Sequence, residues 1–140
     1  MQITRAGEYG VLGLLNLARR EPGEVVMIDA LSRDEGIPRS FLAKVFQQLA
    51  RAGLVRSLRG VGGGFVLARQ PDQITVLEVL EAIEGRLALQ RCTLDMAACR
   101  DTAGCRLCGL LGRAQDRMRD VLGQTTLAEL AGVEHRKEAV

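Results

Sequence analysis

The stretch Gly36-Ile-Pro-Arg-Ser-Phe-Leu-Ala-Lys-Val-Phe-Gln-Gln-Leu-Ala-Arg-Ala-Gly53 predicts a helix set between two stop signals. Its large apolar residues recur at steps of three and four, the period of a helix that buries one face; they are Phe41, Leu42, Val45, Phe46 and Leu49. Gly36 can end a preceding helix over about residues 28–35, because glycine easily adopts the left-handed conformation. Pro38 then suits the first turn of the next helix, where its missing N–H costs nothing. Two helices joined in this way indicate a helix-turn-helix unit, whose second helix enters the major groove of DNA.

After Gly53 the hydrophobic period changes from that of a helix to that of strands. Two short apolar runs, residues 54–58 and 65–68, flank the glycine-rich loop Arg59-Gly-Val-Gly-Gly-Gly64 and predict a β-hairpin. A phosphate-binding loop is the alternative for such a stretch. However, Phe65 stands where that motif needs its third glycine, and a strand follows where a helix should begin. A helix-turn-helix followed at once by a hairpin indicates a winged helix.

The remaining helices are predicted from their caps and their apolar periods. Thr4 can begin a first helix that runs to about Arg19, and Thr75-Val-Leu-Glu78 is a capping box for a helix that Gly85 stops. A long helix follows the cysteines and ends near Gly123. Thr126-Leu-Ala-Glu129 repeats the capping box for a last short helix.

The charges of the chain are separated along its length, although its net charge is only +2. Residues 33–69 contain seven cations and two acids, whereas residues 72–84 contain four acids and no base. A basic block of this kind favours a polyanionic partner. With three Phe, one Tyr and no Trp, the chain lacks the aromatic platform of a single-strand-binding protein, so duplex DNA is the expected partner. The expected contacts are Ser40, Phe41 and Lys44 in the major groove and Arg39 and Arg56 nearer the phosphates.

The four cysteines crowd into one segment of 17 residues, as Cys92, Cys99, Cys105 and Cys108. Thiolates are soft ligands that select zinc, copper(I) or iron–sulfur clusters. A disulfide framework is less favoured, because the N-terminal residues show no secretory pattern and paired thiols rarely persist in cytosol. A thiol redox switch is a further alternative. The residues alone predict a metal site without saying which metal.

An apolar stripe runs along the long helix, and it includes Leu107, Leu110, Leu111, Ala114, Met118, Val121 and Leu122. It can pack on the protein's own core, or it can form the seam of a homodimer. We expect the seam, because DNA readers of this type pair to match a two-fold operator. The expected seam residues are Leu107, Leu111, Ala114, Met118 and Leu122.

Together these motifs resemble the IscR/NsrR/RirA family of winged-helix iron–sulfur transcription regulators. The matching pieces are Thr4-Arg-Ala-Gly-Glu-Tyr9, Ile37-Pro-Arg-Ser-Phe-Leu42, Gly53-Leu-Val55, the loop from Arg59 to Gly64, Thr126-Leu-Ala-Glu129 and three cysteines, over about residues 1–130. The resemblance implies a bacterial homodimer with one iron–sulfur cluster per subunit, whose state or presence controls promoter binding. It also implies that Cys92, Cys99 and Cys105 hold the cluster and that Arg59 enters the minor groove. We expect the wing glycines Gly60, Gly62 and Gly63 to lie at the DNA beside it.

The fourth ligand is open, and with it the choice between a 2Fe-2S and a 4Fe-4S cluster. Cys108 stands where one branch of the family has a histidine ligand. Glu8 stands where the nitric-oxide-sensing branch uses an acidic residue of the partner subunit. Ligand softness favours Cys108. The operator does not carry over, because Ala43 and Lys44 replace residues that contact bases in relatives.

Two other classes compete with this interpretation. A structural zinc would suit four thiolates, but such sites favour two Cys-x₂-Cys pairs and only Cys105 and Cys108 have that spacing. An electron-transfer or catalytic iron–sulfur protein would need a substrate pocket or an acid–base pair, and the sequence supplies neither. We therefore expect no enzyme, and we interpret the lone His135 as a solvated tail residue.

The expected fold class is mostly α with a small β-hairpin. The expected units are a winged helix-turn-helix over 1–70, a connecting helix over 71–90, a cysteine loop over 91–108, a dimerisation helix with a C-terminal helix over 107–133, and a tail over 134–140. No apolar run approaches the roughly 18 residues of a membrane span, so a cytoplasmic protein is expected.

Overall fold

A computed structural model describes residues 3–89 and 106–133 of the chain. Within these ranges the helices are α1 (Arg5–Arg19), α2 (Ile28–Glu35), α3 (Arg39–Arg51), α4 (Val76–Glu84), α5 (Arg106–Gln124) and α6 (Leu127–Ala131). The strands β1 (Val55–Leu58) and β2 (Gly64–Leu67) form an antiparallel hairpin, and a 3-10 turn spans Pro71–Gln73. The predicted mostly helical fold with one hairpin is confirmed.

Threonine side chains begin three of these helices. The hydroxyl oxygens of Thr4, Thr75 and Thr126 each accept a hydrogen bond from the backbone N–H three residues ahead, at 3.3, 3.2 and 3.1 Å. Each bond satisfies an N–H that the first turn of a helix leaves without an intrahelical partner. The three helix starts predicted from these threonines are therefore confirmed.

The turn between α2 and α3 depends on one glycine and one proline. Gly36 has φ 67° and ψ 31°, which is the left-handed conformation expected after α2. Pro38 lies one position earlier than expected, because its ψ of 132° keeps it extended and α3 begins at Arg39. The helix-turn-helix geometry is unaffected by this shift.

The hairpin is joined to the helical core through its second strand. In the β1–β2 register, Ser57 faces Phe65 and Leu58 faces Gly64. On the other edge of β2, Val26 and Phe65 exchange two backbone hydrogen bonds, at 2.9 and 2.8 Å. A Cβ on Gly64 would lie 2.4 Å from the Val26 carbonyl oxygen, so this close backbone pairing requires glycine. The pairing at Val26 was not predicted from the sequence.

One glycine-lined face of α1 packs against both α3 and α4. A Cβ on Gly10 would lie 2.2 Å from the Ile83 side chain of α4, and a Cβ on Gly13 would lie 2.5 Å from the Phe46 ring of α3. The absence of side chains lets these helices approach α1 closely. Phe46 is fully buried and meets Phe65 of β2 edge to face, with ring centroids 5.1 Å apart. The main core therefore includes residues of α1, α3 and the wing, and Leu31 of α2, Val79 of α4 and Leu127 of α6 complete it.

The C-terminal helices close the other side of the domain. Backbone bonds from Val76 to Thr125 and from Leu127 to Ile74, both 2.9 Å, join the start of α6 to the start of α4. Met118 and Leu122 of α5 pack on a second apolar cluster, formed by Val76, Leu80 and Leu87. None of the described helices is both long enough and apolar enough to cross a membrane.

We expect Gly13→Ala to lower the free energy of unfolding by up to about 2 kcal/mol. The new methyl would meet the Phe46 ring, and overpacking of a tight core costs about 1–3 kcal/mol, whereas Ala gains roughly 1 kcal/mol in helix propensity. Urea unfolding followed by circular dichroism measures the change. The matched control is Gly112→Ala in α5, where a Cβ meets open space, so stability should rise by up to about 1 kcal/mol. Equal effects at both sites would contradict the close approach of α1 and α3.

Candidate nucleic-acid interface and metal-binding segment

One face of α3 is buried and the opposite face is open. Leu42, Phe46 and Leu49 have no solvent exposure, whereas Ser40, Lys44 and Gln47 are exposed. These three polar residues stand at positions i, i+4 and i+7, so they form one row on the helix surface. Sequence reasoning missed Gln47, although its spacing from Ser40 and Lys44 was the available signal. Glutamine at a groove-facing position can bind adenine through two hydrogen bonds.

Phe41 belongs to both the packed and the open surface of α3. Its side chain is 39% exposed, and its ring meets Tyr9 of α1 edge to face, with centroids 5.4 Å apart. The sequence placed Phe41 in the apolar stripe and also at the DNA. The structure leaves both roles compatible, because part of the residue packs on α1 and part stays accessible.

Two cations of the predicted basic block are held by carboxylates of other elements. Arg39 forms an ion pair with Asp29 in the first turn of α2, and both side chains are more than half exposed. Arg69 binds Glu78 of α4 at 2.5 Å and donates to the Gln73 carbonyl at 3.1 Å. Arg39 can therefore contact DNA only by sharing or leaving its carboxylate partner. Arg69 belongs to the junction between the wing and α4.

The other five cations of the block form no ion pair within residues 3–89 and 106–133; they are Arg33, Lys44, Arg51, Arg56 and Arg59. All five are exposed. They lie on α2, α3 and the wing, which are the elements that a winged helix brings to DNA. Exposed cations without a carboxylate partner can neutralise phosphates and release counterions.

The tip of the wing is a tight turn that its glycines make possible. Gly60 and Gly62 have φ values of 93° and 77°, and the Gly63 N–H donates to the Gly60 carbonyl at 3.0 Å. A Cβ on Gly63 would lie 2.3 Å from the Leu58 carbonyl oxygen. Arg59 stands exposed where this turn begins.

Of the predicted metal ligands, the structure describes Cys108 and Glu8. Cys108 lies in the first turn of α5 and is partly buried, and Glu8 lies exposed in the first turn of α1. Cys92, Cys99 and Cys105 lie outside the described residues. Four thiol donors within 17 residues, with Cys108 at the start of a helix, fit a thiophilic metal centre by their chemistry.

Polar contacts fix the residues on both sides of the cysteine segment. Arg119 of α5 donates to Glu81 of α4 at 2.6 Å, and the Leu87 N–H donates to the same carboxylate at 3.0 Å. Burial acts to raise the pKa of Glu81, but the hydrogen bonds from Arg119 and Leu87 outweigh it and leave that pKa below its usual value. The bond to Glu81 in turn raises the pKa of Arg119. Glu81 is therefore ionised at neutral pH and holds α5 against α4.

Comparison with known proteins identifies the class of this molecule. Residues 3–132 match the Rrf2 family, which is described as an iron-dependent transcriptional regulator. The chain belongs to the Rrf2 family. It is 35% identical over 131 residues to the HTH-type transcriptional regulator IscR of Cronobacter sakazakii, a match that covers 93% of this chain and 80% of the relative.

Solved structures of Rrf2 regulators have the same architecture. CymR, the global cysteine regulator of B. subtilis, superposes with a TM-score of 0.81 at 26% identity, over 94% of this chain and 97% of that one. T. potens IscR superposes with a TM-score of 0.74 at 25% identity, over 100% of this chain and 89% of that one. The predicted winged-helix fold and the predicted role as a DNA-binding transcription regulator are thereby confirmed.

We expect Arg56→Ala to weaken binding to all duplex sequences, because a phosphate contact carries no sequence information. The slope of log affinity against log salt should flatten by about one unit. Lys44→Ala should instead change the preference among operator bases. Fluorescence anisotropy with labelled duplexes at several salt concentrations measures both effects. The control is Arg113→Ala on α5, an exposed arginine far from α3 in the chain; a change as large as that of Arg56→Ala would refute this surface.

Proposed function

We propose that this Rrf2 chain is an iron–sulfur cluster-containing transcription regulator, and that the presence or state of its cluster sets its affinity for promoters. The observation that carries the proposal is the group of four cysteines, of which three lie between α4 and α5 and the fourth, Cys108, lies in the first turn of α5. The cluster would supply the sensing chemistry, since redox potential, nitric oxide and iron supply each alter it. Every other part of the proposal concerns residues of the chain itself.

The DNA surface of the proposal is α3 together with the wing. Ser40, Phe41 and Lys44 face the major groove, and the row on α3 adds Gln47 to them. Arg56 binds phosphate, and Arg39 does so in exchange with Asp29. Arg59 enters the minor groove, where the turn of Gly60, Gly62 and Gly63 permits a close approach. The open face of α3 and the five unpaired cations support this assignment.

The proposed cluster ligands are Cys92, Cys99 and Cys105, with Cys108 or Glu8 as the fourth. Cys108 is the softer donor and belongs to the same segment. Glu8 lies on α1, exposed, and would serve a cluster held by the other subunit of a dimer. A weak carboxylate ligand is easier to displace, which suits a sensor. A structural zinc bound to the same thiols is the alternative, and it would leave the protein colourless.

The homodimer of the proposal uses the outer face of α5. Leu107, Leu110 and Val121 are 55%, 53% and 64% exposed, and Ala114 is exposed between them. These positions follow the spacing of a helix-pairing seam, in which apolar residues alternate by three and four. Met118 and Leu122 were expected in the seam, but they pack on the second apolar cluster of their own subunit. The exposed part of the proposed seam therefore consists of Leu107, Leu110, Ala114 and Val121, and the half-buried Leu111, Met118 and Leu122 lie at its edge.

The cluster prediction is tested on protein purified without oxygen. We expect a brown sample with visible absorption and with iron and sulfide in equal amounts. Cys92→Ala should abolish the absorption and change promoter affinity at least tenfold, which corresponds to about 1.4 kcal/mol. A colourless sample that contains one zinc per chain would replace the proposal with its alternative.

Two single substitutions then identify the fourth ligand. If Cys108 is the ligand, Cys108→Ala alters the resonance Raman spectrum of the cluster, whereas Glu8→Ala leaves it unchanged. The reverse pattern assigns Glu8. Glu8→Gln distinguishes loss of a ligand from disturbance of α1, because the amide keeps the size of the side chain.

For the dimer, we expect Leu110→Asp to give monomers in light scattering and to abolish specific operator binding. Burial of an unpaired carboxylate in a dry seam costs several kcal/mol. Leu130→Asp on α6 is the matched control, because Leu130 has a similar exposure of 47% outside the seam. A dimeric Leu110→Asp protein would show that another surface pairs the subunits.

A further inference from the structure

Two side chains of α5 hold the stretch of chain that leads into the cysteine segment. Gln115 is 5% exposed and is the buried polar side chain among the described residues. Its Oε1 accepts a hydrogen bond from the Leu89 N–H at 3.2 Å. Arg119, one turn further along, donates to the Leu87 carbonyl at 3.4 Å while it binds Glu81. Residues 87–89 are thus tied to α5 through backbone atoms on both sides of Ala88.

The same face of α5 carries Cys108. Cys108, Gln115 and Arg119 stand at positions i, i+7 and i+11, which lie within about 20° of one line along the helix surface at 100° per residue. Gln115 and Arg119 therefore contact residues 87–89 from the same face of α5 that carries Cys108. Leu107, Leu110 and Val121 lie on a different face, so the proposed dimer seam and this polar face do not compete.

The contact at Leu89 lies close to the cysteines both along α5 and along the chain. Gln115 lies seven residues beyond Cys108, and an α-helix rises about 1.5 Å per residue, so the two positions are about 10 Å apart along α5. Leu89 precedes Cys92 by three residues, and three extended residues span at most about 10–11 Å. A chain held at Leu89 therefore limits residue 92 to within about 10–11 Å of that point. Release of Leu89 would remove this limit on where the first cysteine can lie.

The hydrogen bond between Gln115 and Leu89 is a specific contact and differs from the apolar packing around it. Apolar contacts of Met118 and Leu122 with Leu80 and Leu87 already hold α5 on α4. A buried amide adds little to such packing unless its hydrogen bond is made, because a buried polar group without a partner is destabilising. The placement of Gln115 on a backbone N–H therefore specifies one position of residues 87–89.

We propose that Gln115 and Arg119, together with Glu81, are positioning residues that hold the start of the cysteine segment on the Cys108 face of α5 and thereby determine how long the cluster is retained. This inference rests on the proposed function. It concerns residues that donate no atom to the cluster. Their effect should appear in the rate of cluster release before it appears in the stability of the fold.

The experiment compares Gln115→Met with Gln115→Glu in the full chain, purified with its cluster and without oxygen. Both variants keep the length of the side chain, but only Glu keeps an oxygen that can accept from Leu89. The measurement is the rate at which visible absorption decays after an iron chelator is added. We expect Gln115→Met to release iron about tenfold faster than wild type, the lower end of the effect of outer contacts on metal affinity. Gln115→Glu should recover part of the difference, because it keeps the acceptor oxygen for Leu89 but adds the cost of a buried charge.

Arg119 provides an independent arm of the test, which decides the matter if Gln115→Met does not fold. Arg119→Met should release iron faster, and Arg119→Lys should restore part of the difference, because lysine keeps a donor for Glu81. Arg113→Met is the matched control, since Arg113 is exposed on α5 and forms no ion pair within the described part of the chain. Thermal unfolding of the cluster-free proteins checks that each variant is folded.

The outcomes separate the two levels of the argument. Faster release by Gln115→Met, rescue by Gln115→Glu and no effect of Arg113→Met support the positioning role. If the wild-type protein contains a cluster and releases iron at the same rate as Gln115→Met and Arg119→Met, the positioning role is overturned and the proposed function stays intact. Equal acceleration by Gln115→Met and Gln115→Glu, with equally lowered melting temperatures, shows a role in stability only. A wild-type protein without iron overturns both.

Discussion

The close packing of α1 against α3 and α4 is the constraint on which the rest of the structure depends. At Gly13 and Gly10 the two neighbouring helices occupy the space that a β-carbon would need. Phe46 fills the site at Gly13 and then meets Phe65, so one chain of contacts runs from α1 through α3 to the wing. Because interiors are packed to the density of crystals, α3 cannot move relative to α1 without a change in this contact.

Helix α4 contacts both the chain beside the cysteine segment and the start of α1, and it does so through two carboxylates. Glu81 holds Arg119 and the chain at Leu87, next to the cysteine segment. One turn later, Glu84 accepts the Thr4 N–H at 2.5 Å, and its other oxygen is buried without a hydrogen bond among the described residues. A carboxylate at the N-terminus of α1 is favoured by the helix dipole. Gly7 makes this approach possible, because a Cβ there would lie 3.0 Å from the carboxyl carbon.

Features with a local cause were predictable from the sequence, and features that depend on distant partners were not. The threonine caps, the left-handed Gly36 and the glycine turn of the wing each follow from a few neighbouring residues. The stripe on α5 shows the limit: periodicity marked Met118 as apolar but could not tell whether it faces its own α4 or a second subunit. The Val26 pairing, the Asp29–Arg39 ion pair and the bond from Leu89 to Gln115 likewise join segments that no local pattern connects. For the site, the open face of α3 was predictable, and the spacing of Gln47 from Ser40 and Lys44 could have added that residue to it.

The separation of charge along the sequence is kept in the folded protein, because acids of residues 72–84 form contacts within the chain. Of the acids between residues 72 and 84, Glu78 binds Arg69, Glu81 binds Arg119 and Glu84 binds the start of α1. Within residues 33–69, Asp34 forms an ion pair with Arg20 at 2.7 Å, and Glu35 accepts a hydrogen bond from Asn16. These carboxylates therefore already have partners, whereas five exposed cations of residues 33–69 form no ion pair with any residue that the structure describes. A surface built in this way attracts phosphate over distances up to the Debye length, about 8 Å at physiological salt, without a net charge that would bind polyanions everywhere on the molecule.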